Sequence, residues 1–138
     1  MKDCFTTLEQ SANLIKLGLD PNTADGYREL RDPEFAKVQS CANFEDFLRQ
    51  SGLNHDEVSP CWSGIKLIEQ FPVCIGAFCD YWLEVRKNFA GYIIEERKPG
   101  RNYIYIEGEG ETLIEKLVSV AHQLVACEWW NPKDISQF

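Results

Sequence analysis

Residues 60–72 read Pro-Cys-Trp-Ser-Gly-Ile-Lys-Leu-Ile-Glu-Gln-Phe-Pro, and no other run constrains the fold as tightly. Pro60 and Pro72 bracket it as stops, because proline ends regular backbone pairing or helix. Ser63 is a natural helix N-cap. Trp62 just before it and Leu67 just after the first turn are placed for a hydrophobic staple. Ile65, Ile68 and Phe71 extend an apolar face. The run therefore predicts a short helix, and the segments after it read as strand, strand, strand, helix.

Tyr81, Leu83 and Val85 alternate with Trp82, Glu84 and Arg86, the period-two signature of a half-buried strand. A turn at Asn88–Gly91 leads to a strand over Tyr92–Glu96. Lys98-Pro99-Gly100-Arg101 suits a type II turn, with proline and glycine at its centre. A third strand covers Asn102–Glu107. Connections this short force an antiparallel meander. Val73–Phe78, interrupted by Gly76, reads as a buried strand or a loop lining. Thr112-x-x-Glu115 is a capping box, and Leu113, Leu117, Val120, Ala121, Leu124 and Val125 form a wide stripe behind it. A sheet this small needs a covered face, so this helix is expected to lie on it. Leu83, Val85, Ile104 or its neighbour, Leu117, Val120 and Leu124 are the expected core.

The N-terminal half opens with a second capping box, Thr6-x-x-Glu9, then Leu8, Ala12, Ile15 and Leu19 at near-helical spacing, closed by Gly18. Asp20-Pro21-Asn22 is a turn. Residues 26–59 are the least readable part. Asp32-Pro33 suggests a helical turn. Asn43 caps a helix carrying Phe44, Phe47 and Leu48 and ending at Gly52. Asn54–Ser59 reads as a loop. The expected architecture is α+β: one domain over 1–138, with a three- or four-stranded antiparallel sheet packed by N-terminal, short central and long C-terminal helices.

Composition excludes more than it assigns. A net charge of −8 lacks the basic footprint that nucleic-acid binding demands. No apolar run is long enough for a membrane span. Met1–Thr7 lacks a signal-peptide core, so a cytoplasmic location is expected. The six cysteines are irregularly spaced, and reduced, mostly buried thiols are the expectation. Cys74-x4-Cys79, with His55 and His122 remote in sequence, is a poor metal pattern. No metal or cofactor is expected.

Three segments together resemble a family of small uncharacterised proteins carried by Bacteroides-type gut bacteria, their phages and mobile elements. They are Leu17-Gly18-Leu19-Asp20 with Thr23-Ala24-Asp25, Pro60-Cys61-Trp62-Ser63 with its helix, and Gly110-Glu111-Thr112-Leu113. Residues 26–59 depart from the family pattern. The family has no assigned activity, so the resemblance implies a setting and no chemistry.

Candidate sites divide accordingly. Cys61 as a nucleophile would need a base from His55 or His122 and an electropositive setting. Glu107, Glu109 and Glu111 alternate with apolar or glycine positions and, if extended, would share one side as a hard-cation site. A solvated approach to a helix N-terminus is the better account of them. Trp129 and Trp130 follow the last helix, where adjacent residues cannot easily face one core. One exposed indole there would suit a protein contact. Trp62 could line a groove, although the staple role is the plainer one. The sequence thus suggests a cytosolic protein-interaction module of mobile-element or phage origin, contacting an unidentified protein partner or a second copy as a homodimer through Trp129, Trp130 or Trp62. An acidic mimic of nucleic acid that blocks a basic protein is the alternative. A small enzyme using Cys61 or the Glu107–Glu111 cluster is the third.

Overall fold

The computed structural model describes residues 5–30, 38–95 and 102–132. Their contacts fall into two compact units. One holds the described residues up to Gln70 together with Pro132. The other runs from Phe71 to Asn131. The turn expected at Lys98–Arg101 and the helical turn at Asp32-Pro33 lie outside the described residues.

The first unit begins with helix α1 (Leu8–Leu17). Its N-cap is Thr7, one residue later than the sequence suggests. The Thr7 hydroxyl accepts from the Gln10 amide, and the Thr7 amide donates to the Gln10 side-chain oxygen. Thr6 is taken out of the box because its backbone pairs with Trp62. Gly18 closes α1 in the left-handed conformation, φ 111°. A 3₁₀ turn over Pro21–Thr23 follows, capped by Asp20. Then come β1 (Gly26–Glu29), β2 (Gln39–Ser40), α2 (Phe44–Ser51), β3 (Val58–Cys61) and α3 (Gly64–Gln70). Asn43 and Gly52 cap α2 as expected.

The three strands form an antiparallel sheet in the order β2-β1-β3, which the sequence does not announce. Pro60 is not a stop. It pairs with Tyr27 inside β3, and β3 is an edge strand, where a missing N–H is tolerated. α1 packs against β3. Leu14, Leu67, Trp62 and Phe44 are buried.

The second unit carries the expected meander: β4 (Cys74–Ile75), β5 (Tyr81–Arg86), β6 (Phe89–Glu95) and β7 (Asn102–Glu107), in that spatial order and all antiparallel. Helix α4 (Leu113–Ala126) covers one face through β6 and β7. Leu117, Val120, Ala121 and Leu124 on α4, with Ile75, Ala90, Tyr92 and Ile106 on the sheet, are its core. Leu83 and Val85 are half-buried.

The side chain of Tyr103, one neighbour of Ile104 in the core expectation, lies outside those described. Ile104 is on the outside and Tyr105 beside it is also exposed. The cause is a β-bulge. Tyr92 pairs with Ile106, but the next residue, Ile93, pairs with Ile104, so Tyr105 is an extra residue in β7. A bulge interrupts the alternation of faces. It lets Ile106 turn in while Ile104 turns out. Gly91 makes this geometry feasible, since a Cβ there would lie 2.1 Å from the Ile106 carbonyl oxygen.

Candidate functional site

Two of the three motif segments singled out in the sequence, Thr23-Ala24-Asp25 and Pro60-Cys61-Trp62-Ser63, meet in the first unit, while Gly110–Leu113 lies in the second. The Trp62 amide donates to Thr6 Oγ1 at 3.1 Å, and the Thr6 amide donates to the Trp62 carbonyl at 2.9 Å. Thr6 Oγ1 also lies 2.8 Å from the buried Ser11 Oγ. Arg28 donates to the Thr6 carbonyl. The Trp62 indole donates to Thr23 Oγ1 at 2.9 Å, and that hydroxyl donates to the Asp20 carbonyl. Asp25 receives both the Ser63 amide, at 2.9 Å, and the Ser63 hydroxyl. Ser63 Oγ in turn accepts from the Lys66 amide, capping α3. Thr23-Ala24-Asp25 and Pro60-Cys61-Trp62-Ser63 are therefore two sides of one seam. No buried side-chain polar atom among the described residues is left without a partner.

These hydrogen bonds tie the approach to α1, the turn before β1 and the start of α3 together. Ser63 and Asp25 form a hydroxyl–carboxylate pair, but the hydroxyl is committed to a cap. Cys61 is fully buried. Its thiol is pushed up to about 12, first by burial, against a lowering from Arg28. Asp25 and Cys41 act on it as well, and no histidine does. A nucleophilic cysteine needs the opposite setting. His55 is exposed, 4.0 Å from Glu45. A depression of about 360 Å³, lined by Tyr27, Cys41, Asn43, Asp46 and Phe47 among others, lies in the same unit. Of its lining groups, Asn43 caps α2, Asp46 pairs with Arg49, and the Tyr27 hydroxyl donates to Gln39 Oε1 at 3.0 Å while its ring stacks on Phe47.

The acidic run behaves as a helix approach. Glu107, Glu109 and Glu111 are exposed. The Glu109 amide donates to Ser119 Oγ, and the Glu111 amide to Glu115 Oε2. Thr112 caps α4 by accepting from the Glu115 amide. Among the described residues no cluster of histidine, cysteine, aspartate and glutamate could hold a metal ion.

The tryptophans separate. Trp62 is fully buried and its indole N–H is used, so it has no surface to offer a partner. Trp130 is buried and packs edge-on against Phe71, with centroids 5.2 Å apart. Trp129 is 37% exposed and donates to the Tyr105 hydroxyl at 3.1 Å. Glu128, left-handed at φ 63°, turns the chain between helix and tail. One indole inside and one partly out is the division that adjacency suggests.

The surface feature the sequence reading passed over lies on the other side of the meander. Cys74, Trp82, Ile93 and Ile104 are successive cross-strand partners in one row over β4, β5, β6 and β7. Their side chains face away from the core that α4 covers. Trp82 is 52% and Ile104 50% exposed. Phe78, on the loop between β4 and β5, is 86% exposed. Period two could have flagged Trp82, which alternates with the inward Leu83. It could not flag Ile104, because only the bulge turns that residue out. Cys74 is bonded to Cys79, with Cα atoms 5.1 Å apart, so this pair is not the free-thiol pair the spacing suggests. Cys41, Cys61 and Cys127 are free.

Comparison with known proteins gives no match: no family model matches the chain, and neither a curated protein nor a solved structure does.

Proposed function

We propose that this protein is a protein-interaction module whose contact surface is the open face of the second unit's sheet. The observation that carries this is the row Trp82–Ile93–Ile104. The solvated face of an antiparallel sheet is ordinarily polar. Large apolar side chains grouped on such a face mark a contact surface. Tryptophan is the residue most enriched at the centre of such contacts. Trp129, at 37% exposed, is the remaining indole from the sequence reading with surface to offer. Its indole N–H is already engaged with Tyr105, which makes it a secondary contact.

The resemblance to cargo of gut-bacterial phages and mobile elements makes a host or phage protein the natural partner, met in the cytoplasm. Among the described residues no helix is long and apolar enough to cross a membrane. The acidic-mimic reading draws on the exposed Glu107, Glu109 and Glu111 and predicts a basic partner released by salt.

The test is capture of partners with the tagged whole chain, followed by calorimetric titration of the purified captured protein. Trp82→Ser with Ile104→Thr should weaken binding about thirtyfold, the equivalent of about 2 kcal/mol at a hot spot. The melting temperature should hardly move, since both residues are on the surface. Unchanged affinity in that double variant would reject the open face as the contact. Loss of binding in a Glu109→Gln, Glu111→Gln variant instead would establish the acidic reading.

A further inference from the structure

We propose that Cys74 and Cys79 are a reversible dithiol–disulfide pair that sets the conformation of the Phe78 loop beside the open face, exchanging with low-molecular-weight thiols and disulfides of the glutathione class. The purpose given to the loop rests on the docking reading. The exchange itself does not.

The strand that carries Cys74 is held without the bridge. Ile75 is buried and pairs with Tyr81, Cys74 pairs with Trp82, and the Leu83 amide donates to the Val73 carbonyl at 3.0 Å. The Tyr92 hydroxyl fixes the Pro72 carbonyl just upstream. The loop from Gly76 to Asp80 is built differently. One turn bond spans it, from the Cys79 amide to the Gly76 carbonyl at 3.2 Å. Both ends of that turn are left-handed, Gly76 at φ 102° and Cys79 at φ 54°. Glycine adopts this backbone freely, whereas cysteine does not. The bridge holds Cys79 in that conformation. Opening it lets Cys79 return to ordinary backbone angles, and Phe78, its neighbour, moves with it. Cys74 stands directly across from Trp82, so the change occurs at the end of the apolar row.

The pair is also reachable. Cys79 is exposed and Cys74 half-buried, unlike the enclosed Cys61. In the oxidising direction the Cys79 thiolate attacks one sulfur of a small disulfide RSSR. This forms a Cys79–SR mixed disulfide and expels RS⁻. The Cys74 thiolate then attacks the Cys79 sulfur, forming the Cys74–Cys79 bond and expelling a second RS⁻. The two thiol protons pass to the two leaving thiolates. The protein loses two electrons and RSSR gains them, giving two RSH. The reverse exchange with two RSH reopens the bridge. A pair of this kind is compatible with a reducing compartment, where permanent disulfides are rare.

The whole chain should be equilibrated in buffers spanning reduced to oxidised glutathione, quenched in acid, alkylated and mapped by mass spectrometry. Cys74 and Cys79 should pass together from thiol to disulfide within that range. Amide hydrogen exchange at residues 76–80 should be at least about tenfold faster in the reduced protein, while Ile75 and Tyr92 keep their protection. A Cys74→Ser, Cys79→Ser variant should show the fast loop exchange in every buffer. The proposal is overturned if the bridge persists until the chain unfolds, if it never forms, or if it exchanges with no change at 76–80. None of these readouts involves a partner. A failure here leaves the Trp82 test standing, and the converse holds too.

Discussion

Thr6 shows how one side chain can hold a fold together at the residue scale. Its hydroxyl meets the Ser11 hydroxyl and the Trp62 amide, and its backbone pairs with Trp62, all in a fully buried position. Thr6→Val keeps the shape and deletes the hydroxyl. It strands a buried serine hydroxyl and a buried amide, each costly to leave unpaired. The expected loss is about 1–3 kcal/mol in urea denaturation, and Thr6→Ser should recover most of it. A Thr6→Val loss under about half a kcal/mol would mean water or relaxation satisfies both groups, and the seam would not depend on Thr6. The same seam explains why Thr23, Asp25, Trp62 and Ser63 are spaced as they are. Their hydrogen bonds run between segments distant in sequence, so no local pattern announces them. Asp25 reads as a turn residue and Ser63 as a cap. Only the fold shows that Asp25 holds that cap.

At the scale of elements, the bulge in β7 decides which residues are inside. It depends on Gly91, whose missing Cβ makes room for the Ile106 carbonyl at 2.1 Å. Gly91→Ala pushes directly against backbone, which cannot swing aside as a side chain would. The expected cost is about 1–3 kcal/mol from overpacking, with faster amide exchange along β6 and β7. Exchange and stability like those of the parent would show that the strands separate without penalty there. Elements with local signals were legible: α4 through its apolar stripe and Thr112 cap, α2 through Asn43 and Gly52, and the meander through its alternation, although the turn expected at Asn88–Gly91 sits at Lys87–Asn88, with Phe89–Gly91 already in β6. Elements without them were not. β1 is four residues long, β2 two, and β3 contains a proline. Strands this short carry too few periods to register, and they exist because non-local pairing with Tyr27 and Gly26 rewards them. The open face was half legible, at Trp82, for the same reason: a bulge is a pairing event, invisible along one strand.

Over the whole molecule, each compact unit carries a buried group that ionises only at high pH. Cys61 is fully enclosed beside β1 and its thiol is pushed up to about 12 by burial. Tyr92, at the centre of the meander, is raised in the same direction by the same cause. The unfolded chain releases these protons near the ordinary values for a thiol and a phenol. Between those values and the raised ones, the folded state holds more protons than the unfolded state. Stability therefore falls as pH rises. For Cys61 the contribution is fully present below about pH 9 and is lost on the way to about 12. Tyr92 adds its own decline, beginning about a unit later. Cys61→Ala should lower stability at pH 7 by leaving a small cavity. It should also flatten the decline between about pH 9 and 10.5, because alanine has no proton to lose. The two effects separate cleanly: one shifts the level, the other changes the slope. Urea midpoints of both proteins, measured across that range, read the slope directly. Parallel slopes would mean that the Cys61 thiolate finds water or a cation in the folded chain, and the seam around Trp62 would be wetter than its hydrogen bonds imply.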